Sequence, residues 1–262
     1  MNNAEFEDIF FKILDDLEDY LSDLTLVGGW LSYVYARFLW ENLNVNPVTT
    51  VDVDFGISKN KPKVYGKTIF QILSNLDYKE RHVKMDRMYP VVLFKEGKVR
   101  IDFISPSDIP NEVVEQLVGV QISVSKLDDF DFVLKQNMSL DIKNSKNNKS
   151  YSILCPKPAA FVYHKSATFV DRDDELKQAK DLFYIYFVLR YASDAETILN
   201  EVQQFYKEGH LPRTADNLKK YFERKSSQGC LMVEKENGPD EFIDDIREDI
   251  FERFSALRAR LA

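Results

Sequence analysis

The segment from Leu24 to Ile57 constrains the fold more than any other part of the chain. It holds an apolar run, Leu24–Val27, a Gly28-Gly29 pair, a helical stretch, and then Asp52-Val-Asp-Phe-Gly-Ile57. Side chains alternate faces along a strand, so Asp52 and Asp54 project together while Val51, Val53 and Phe55 pack on the other face. A second strand-like run, Val99-Arg-Ile-Asp-Phe-Ile104, carries one carboxylate, Asp102, between Ile101 and Phe103. A lone acid among β-formers is poor strand chemistry unless it has a task. Asp-x-Asp by itself is as readily an exposed strand face or a turn. The diglycine upstream and Asp102 downstream together favour a site.

Glycine lets the backbone turn sharply and lets a ligand approach closely. The free N–H groups at a helix start favour anions. Gly28 and Gly29 therefore read as a phosphate cradle, with Ser32 on the first helical turn adding a hydroxyl. No third glycine follows as in a dinucleotide-binding fingerprint, and no Gly-Lys-Ser/Thr follows as in a Walker A loop. Parallel carboxylates repel one another unless a cation sits between them. Mg²⁺, or Mn²⁺ in its place, accepts such oxygen ligands and keeps positions for substrate phosphates. Asp52, Asp54 and Asp102 are thus the expected metal ligands.

A glycine turn, a helix, Asp-x-Asp and a lone aspartate on a later strand together resemble the DNA polymerase β-like nucleotidyltransferase superfamily. The DVDF strand is most similar to the AbiEii/AbiGii-type nucleotidyltransferases, many of them toxins of toxin–antitoxin pairs. A second block, Lys157-Pro-Ala-Ala-Phe-Val-Tyr-His-Lys165, then Arg172, then Lys180-Asp181-Leu-Phe183, supports the resemblance, which spans about residues 24 to 190. It implies that Lys165 and Asp181 belong to the catalytic set, with Lys165 as a phosphate ligand. Asp181 would alternatively hold Lys165 or Arg172 in place through a charge-assisted bond. It also implies a nucleoside triphosphate (NTP) substrate and an acceptor hydroxyl, which the residues leave open among an RNA or tRNA 3′ end, a protein and a small molecule; a toxin-type member would have an antitoxin protein as partner. The family arginine of the R-x-T-x-D pattern is missing from Pro47-Val-Thr-Thr-Val-Asp52, although the threonine is kept.

The chain has 262 residues, is 44% hydrophobic and 30% charged, and suits an ordinary globular protein of one large or two modest domains. No apolar run approaches the ~18 residues of a membrane span. The acidic start is unlike a secretory signal. Cys155 and Cys230 without zinc spacing suit a reducing, cytoplasmic setting. His164, beside Lys165, reads as structural. The net charge of −8 opposes broad nucleic-acid binding. A local basic patch would come from Lys135, Lys143, Lys146 and Lys149, or from Lys219, Lys220, Arg224 and Lys225. Two alternatives stand beside a toxin-type enzyme. One is an aminoglycoside-type adenylyltransferase acting on a small cationic molecule. The other is a catalytically silent binding protein, which the three clustered acids oppose.

The expected fold is α+β. A nucleotidyltransferase mixed sheet flanked by helices occupies residues 1–155, and a helical bundle occupies 156–262. Helical periodicity covers about 4–22 and 30–43, and a further helix follows the Lys59–Pro62 loop up to about Leu76. It resumes near 157–168, 174–191, 194–207, 212–223 and 239–260. Strands are expected at 50–57, 90–96, 99–105, 119–124, 130–134, 138–143 and 151–154, with a hairpin turned at Glu96-Gly97.

Overall fold

The computed structural model of the protein describes residues 3–42, 52–58, 63–76, 78–82, 91–95, 99–238 and 245–262. The chain forms two compact units, Met1–Val34 with Val48–Pro156, and Tyr35–Pro47 with Lys157–Ala262.

In the first unit the elements run α1 (Asn3–Asp16), β1 (Leu24–Val27), α2 (Trp30–Val34), β2 (Asp52–Ile57), α3 (Ile69–Ser74), β3 (Tyr78–His82) and β4 (Val91–Lys95). They continue as β5 (Val99–Pro106), α4 (Asn111–Val118), β6 (Ser125–Leu127), α5 (Phe130–Lys135), β7 (Asn137–Lys143) and β8 (Ser150–Pro156). The strands make one mixed sheet in the order β3-β4-β5-β2-β1-β8-β7, and β6 adds to the end of β5. Strands β2 and β5 lie parallel at its centre, while β1 and β2 are antiparallel. Sheet and helices together give an α+β architecture.

The two faces of β2 have different fates, as its alternation dictates. Val53, Phe55 and Ile57 are buried, with the Phe55 ring 6.3 Å from that of Phe103 on β5. On the opposite face, Gly56 lies against α5. A Cβ added there would stand 2.5 Å from Leu134 and 3.2 Å from Phe130. Phe130, Val133 and Leu134 cluster with Val27, and Ile104 packs beside them. The far half of this face is therefore capped by α5, and the near half carries Asp52 and Asp54. Phe10, Ile13 and Leu14 of α1, and Leu17 just after it, are fully buried. Phe10 stacks on Trp30 at 4.5 Å.

Several elements differ from the sequence expectation. Residues 130–134 form helix α5, not a strand: Phe-Asp-Phe-Val-Leu fits both periods, and packing of Phe130, Val133 and Leu134 at i, i+3 and i+4 selects the helix. The expected strand at 119–124 is absent. Gly119, at φ +105°, ends α4, and the short β6 follows. Helix α4 and strand β3 were not anticipated. The stretch expected as a helix to 43 is α-helical only over Trp30–Val34, and then widens into a π turn over Tyr35–Leu39, where Trp40 N donates to Tyr35 O at 2.9 Å. The Glu96-Gly97 turn lies outside the described residues, although β4 and β5 do pair antiparallel.

The second unit comprises α6 (Pro158–Thr168), α7 (Glu175–Tyr191), α8 (Ala195–Lys207), α9 (Thr214–Tyr221), α10 (Gln228–Asn237) and α11 (Ile246–Ala259). Pro158 starts α6, where a missing N–H costs nothing. Asp174, Asp194 and Asp245 cap α7, α8 and α11 by accepting from backbone N–H groups. Helix α7 is buried along ten successive or near-successive positions from Ala179 to Leu189 and packs against α6, α8, α10 and α11. Helix α10 was not foreseen. Residues 239–244 of the expected last helix lie outside the described residues.

Candidate functional site

The parallel register of β2 and β5 sets Asp54 directly beside Asp102, and Asp52 beside Arg100. In-register neighbours on parallel strands share a face, so all three aspartates and Arg100 stand on one side of the sheet. Asp102 is buried, while Asp52 and Asp54 are half-buried. The antiparallel register of β1 and β2 brings Val27, the last residue before the glycine pair, beside Asp54. Gly28 follows at φ +75°, and a Cβ built on it would lie 2.0 Å from Asp54 Oδ2. Only glycine satisfies both the dihedral and the close approach. The turn and the acidic face are therefore one structure.

Arg100 is the member of this face that the sequence reading missed. Its Nε donates to Asp102 Oδ2 at 2.7 Å, its second guanidinium nitrogen donates to the same oxygen, and Nε lies 3.6 Å from Asp52 Oδ1. The signal was present: Arg-x-Asp on β5 repeats the two-residue spacing of Asp-x-Asp on β2. Burial pushes the Asp102 carboxyl up. Arg100 pulls it back only in part, and Asp52 adds to the upward shift. Burial also opposes charge on Arg100, but the surrounding carboxylates outweigh it and raise its pKa.

Among the described residues no three Asp, Glu, His or Cys side chains stand close enough to hold a metal ion. The three carboxylates share a face without meeting at one point, and Arg100 is drawn onto Asp102. The donor types are those a hard divalent cation takes: Asp54 and Asp102 lie in register, Asp52 shares their face, and the Gly28 turn stands beside them. Ser32 is fully buried, and its hydroxyl has no hydrogen-bond partner among the described residues. A phosphate oxygen is one acceptor it could take.

Lys165 and Asp181 lie in the helical unit, on α6 and α7. Lys165 donates to Asp181 Oδ1, and Arg172 Nε donates to Asp181 Oδ2 at 2.9 Å. The Lys165 ammonium also sits 5.3 Å from the Phe161 and Tyr184 rings. Burial raises the Asp181 carboxyl, but Lys165 and Arg172 outweigh it and hold it below its ordinary value. His164 is pushed down to about 3, by burial first and then by Lys165, so it is neutral. Of the lysines considered for nucleic acid, Lys135 pairs with Asp131 at 2.6 Å, Lys146 with Asp8 at 2.5 Å, and Lys149 with Asp15 and Glu18 at 2.7 Å.

A family model described as Nucleotidyltransferase matches residues 11–208, more than half of the chain. The chain belongs to this nucleotidyltransferase family. Among solved structures, an antigenic nucleotidyltransferase-like protein from Paracoccidioides brasiliensis is similar at 16% identity and a TM-score of 0.41, over 82% of this chain and 93% of that one. No curated protein matches. Among the described residues no helix is long and apolar enough to cross a membrane.

Proposed function

We propose that this protein moves a nucleoside monophosphate from an NTP to an acceptor hydroxyl and releases pyrophosphate. The carrying observation is the Asp54–Asp102 register beside the Gly28 turn. Asp52 and Asp54, with Asp102, would hold Mg²⁺ or Mn²⁺. Such an ion, when bound, offsets charge on the triphosphate and at the α-phosphorus. The Gly28-Gly29 backbone and the Ser32 hydroxyl would take the β- and γ-phosphate oxygens. Asp102, its carboxyl raised by burial, is suited to accept the proton of the attacking hydroxyl. The acceptor oxygen then bonds to the α-phosphorus as the bond to the β-phosphate oxygen breaks. Lys165 and Asp181 stand in this proposal as a buried pair that fixes α6 to α7, with the phosphate role of Lys165 resting on the resemblance.

One observation bears on the acceptor. Three of the four central lysines are committed to acids, and the net charge is −8, so a small molecule or protein hydroxyl suits the chain better than an RNA end. A toxin-type role with an antitoxin partner extends the proposal on the resemblance alone. The test is pyrophosphate release from each NTP with Mg²⁺, with tRNA, aminoglycosides and a cytosolic protein fraction as separate acceptor arms. Release that needs Mg²⁺ and one of these acceptors supports the reading, and no release with any NTP and acceptor contradicts it.

A further inference from the structure

We infer that Arg100 is an exchangeable cation of the acidic face: it holds Asp102 when no metal is bound and passes to the triphosphate when metal and nucleotide enter. This inference rests on the proposed function and adds to it a residue that governs metal entry. Two guanidinium nitrogens converge on one oxygen, Asp102 Oδ2, and the same group approaches Asp52 Oδ1 at 3.6 Å. The guanidinium therefore engages two of the three carboxylates that the metal would need. Its side chain is 16% exposed and that of Asp102 is 11%, so water does little to screen the contact.

The three like charges explain why a cation belongs there. Carboxylates that share one face repel one another, and the burial of Asp102 makes that repulsion costly. A guanidinium supplies one positive charge from within the chain, whereas a divalent ion supplies two and takes oxygen ligands more tightly. The two cations compete for Asp102 and repel each other. Once displaced, Arg100 remains tethered two residues from Asp102, on the face where phosphates would lie. Its five donors match phosphate oxygens as well as they match a carboxylate.

The test uses metal binding, with no turnover required. Mn²⁺ affinity and NTP affinity in the presence of Mn²⁺ are measured for wild type, Arg100→Gln and Arg100→Lys. Arg100→Gln should bind Mn²⁺ at least ~10-fold more tightly than wild type, through loss of a competing charge. The same variant should bind NTP at least ~10-fold more weakly, through loss of a charge-assisted phosphate contact. A residue that merely supported the fold would weaken both. Mn²⁺ affinity at or below the wild-type value, or unchanged NTP affinity, overturns the inference. Should Arg100→Gln not fold in chelator, Arg100→Lys carries the comparison. Its single-point hold on Asp102 predicts Mn²⁺ binding tighter than wild type, and equal or weaker binding overturns the inference. Asp54→Asn reports separately on the underlying site. If it binds Mn²⁺ as wild type does, the proposed metal ligands are wrong whatever Arg100 does.

Discussion

The Asp54 carboxylate occupies the space a Cβ at Gly28 would need, with Oδ2 only 2.0 Å from that position. The glycine turn and the second aspartate of Asp-x-Asp are thus sterically coupled, and neither can be changed without reference to the other.

Gly28→Ala should therefore destabilise the protein by about 2–4 kcal/mol, combining a left-handed dihedral with a carboxylate clash. Asp54→Ala removes the clashing oxygens and leaves the dihedral. The double variant should recover at least ~1 kcal/mol relative to additivity, as expected for groups in contact. Urea unfolding of the four proteins measures this, and strict additivity would show that the turn and the carboxylate do not meet.

The Asp181 pair sets a pH dependence. Its carboxyl is depressed in the folded protein, so it contributes stability at pH values above the ordinary carboxylate pKa of ~3.9. That stability is lost as pH falls through the depressed value. Asp181→Asn should cost about 3–5 kcal/mol at neutral pH, because it leaves Lys165 buried without its counter-charge. The variant should also lose part of the acid dependence below about pH 4. Lys165→Met should cost a similar amount, and combining the two should cost less than their sum. Equal pH profiles for wild type and Asp181→Asn would contradict the pairing.

Both thiols should be silent in the native state. Cys155 and Cys230 are fully buried, and burial pushes their thiols up to about 12 and about 11. A disulfide reagent at pH 8 should label neither within minutes, and should label both in guanidinium chloride. Rapid native labelling of Cys155 would show that β8 opens readily.

How much of this was legible in the sequence depends on the range of the interaction. Alternation alone put Asp52 and Asp54 on one face, and the apolar neighbours of Asp102 marked it as a strand residue with a task. The register that sets Asp54 beside Asp102 is a tertiary fact, with α3, β3 and β4 lying between the two strands in the chain. The spacing of Arg100 and Asp102 already put the two on one face, but only pairing shows that the neighbour of Arg100 across the strands is Asp52. Helix α5 was misread because five residues of Phe-Asp-Phe-Val-Leu suit either period, and contact with Gly56 and Val27 decides. The link from Lys165 to Asp181 joins two helices through buried charge, and could be read beforehand only from the resemblance.

The central claim is that the acidic face of β2 and β5 performs nucleotidyl transfer. The most direct measurement is transfer of α-phosphate label from each NTP, with Mg²⁺, to tRNA, aminoglycoside and protein acceptors, by wild type and by Asp54→Asn verified as folded. Label should move to one acceptor class in wild type, fall by at least ~100-fold in Asp54→Asn, and vanish in chelator. Undiminished label transfer by folded Asp54→Asn would contradict the account.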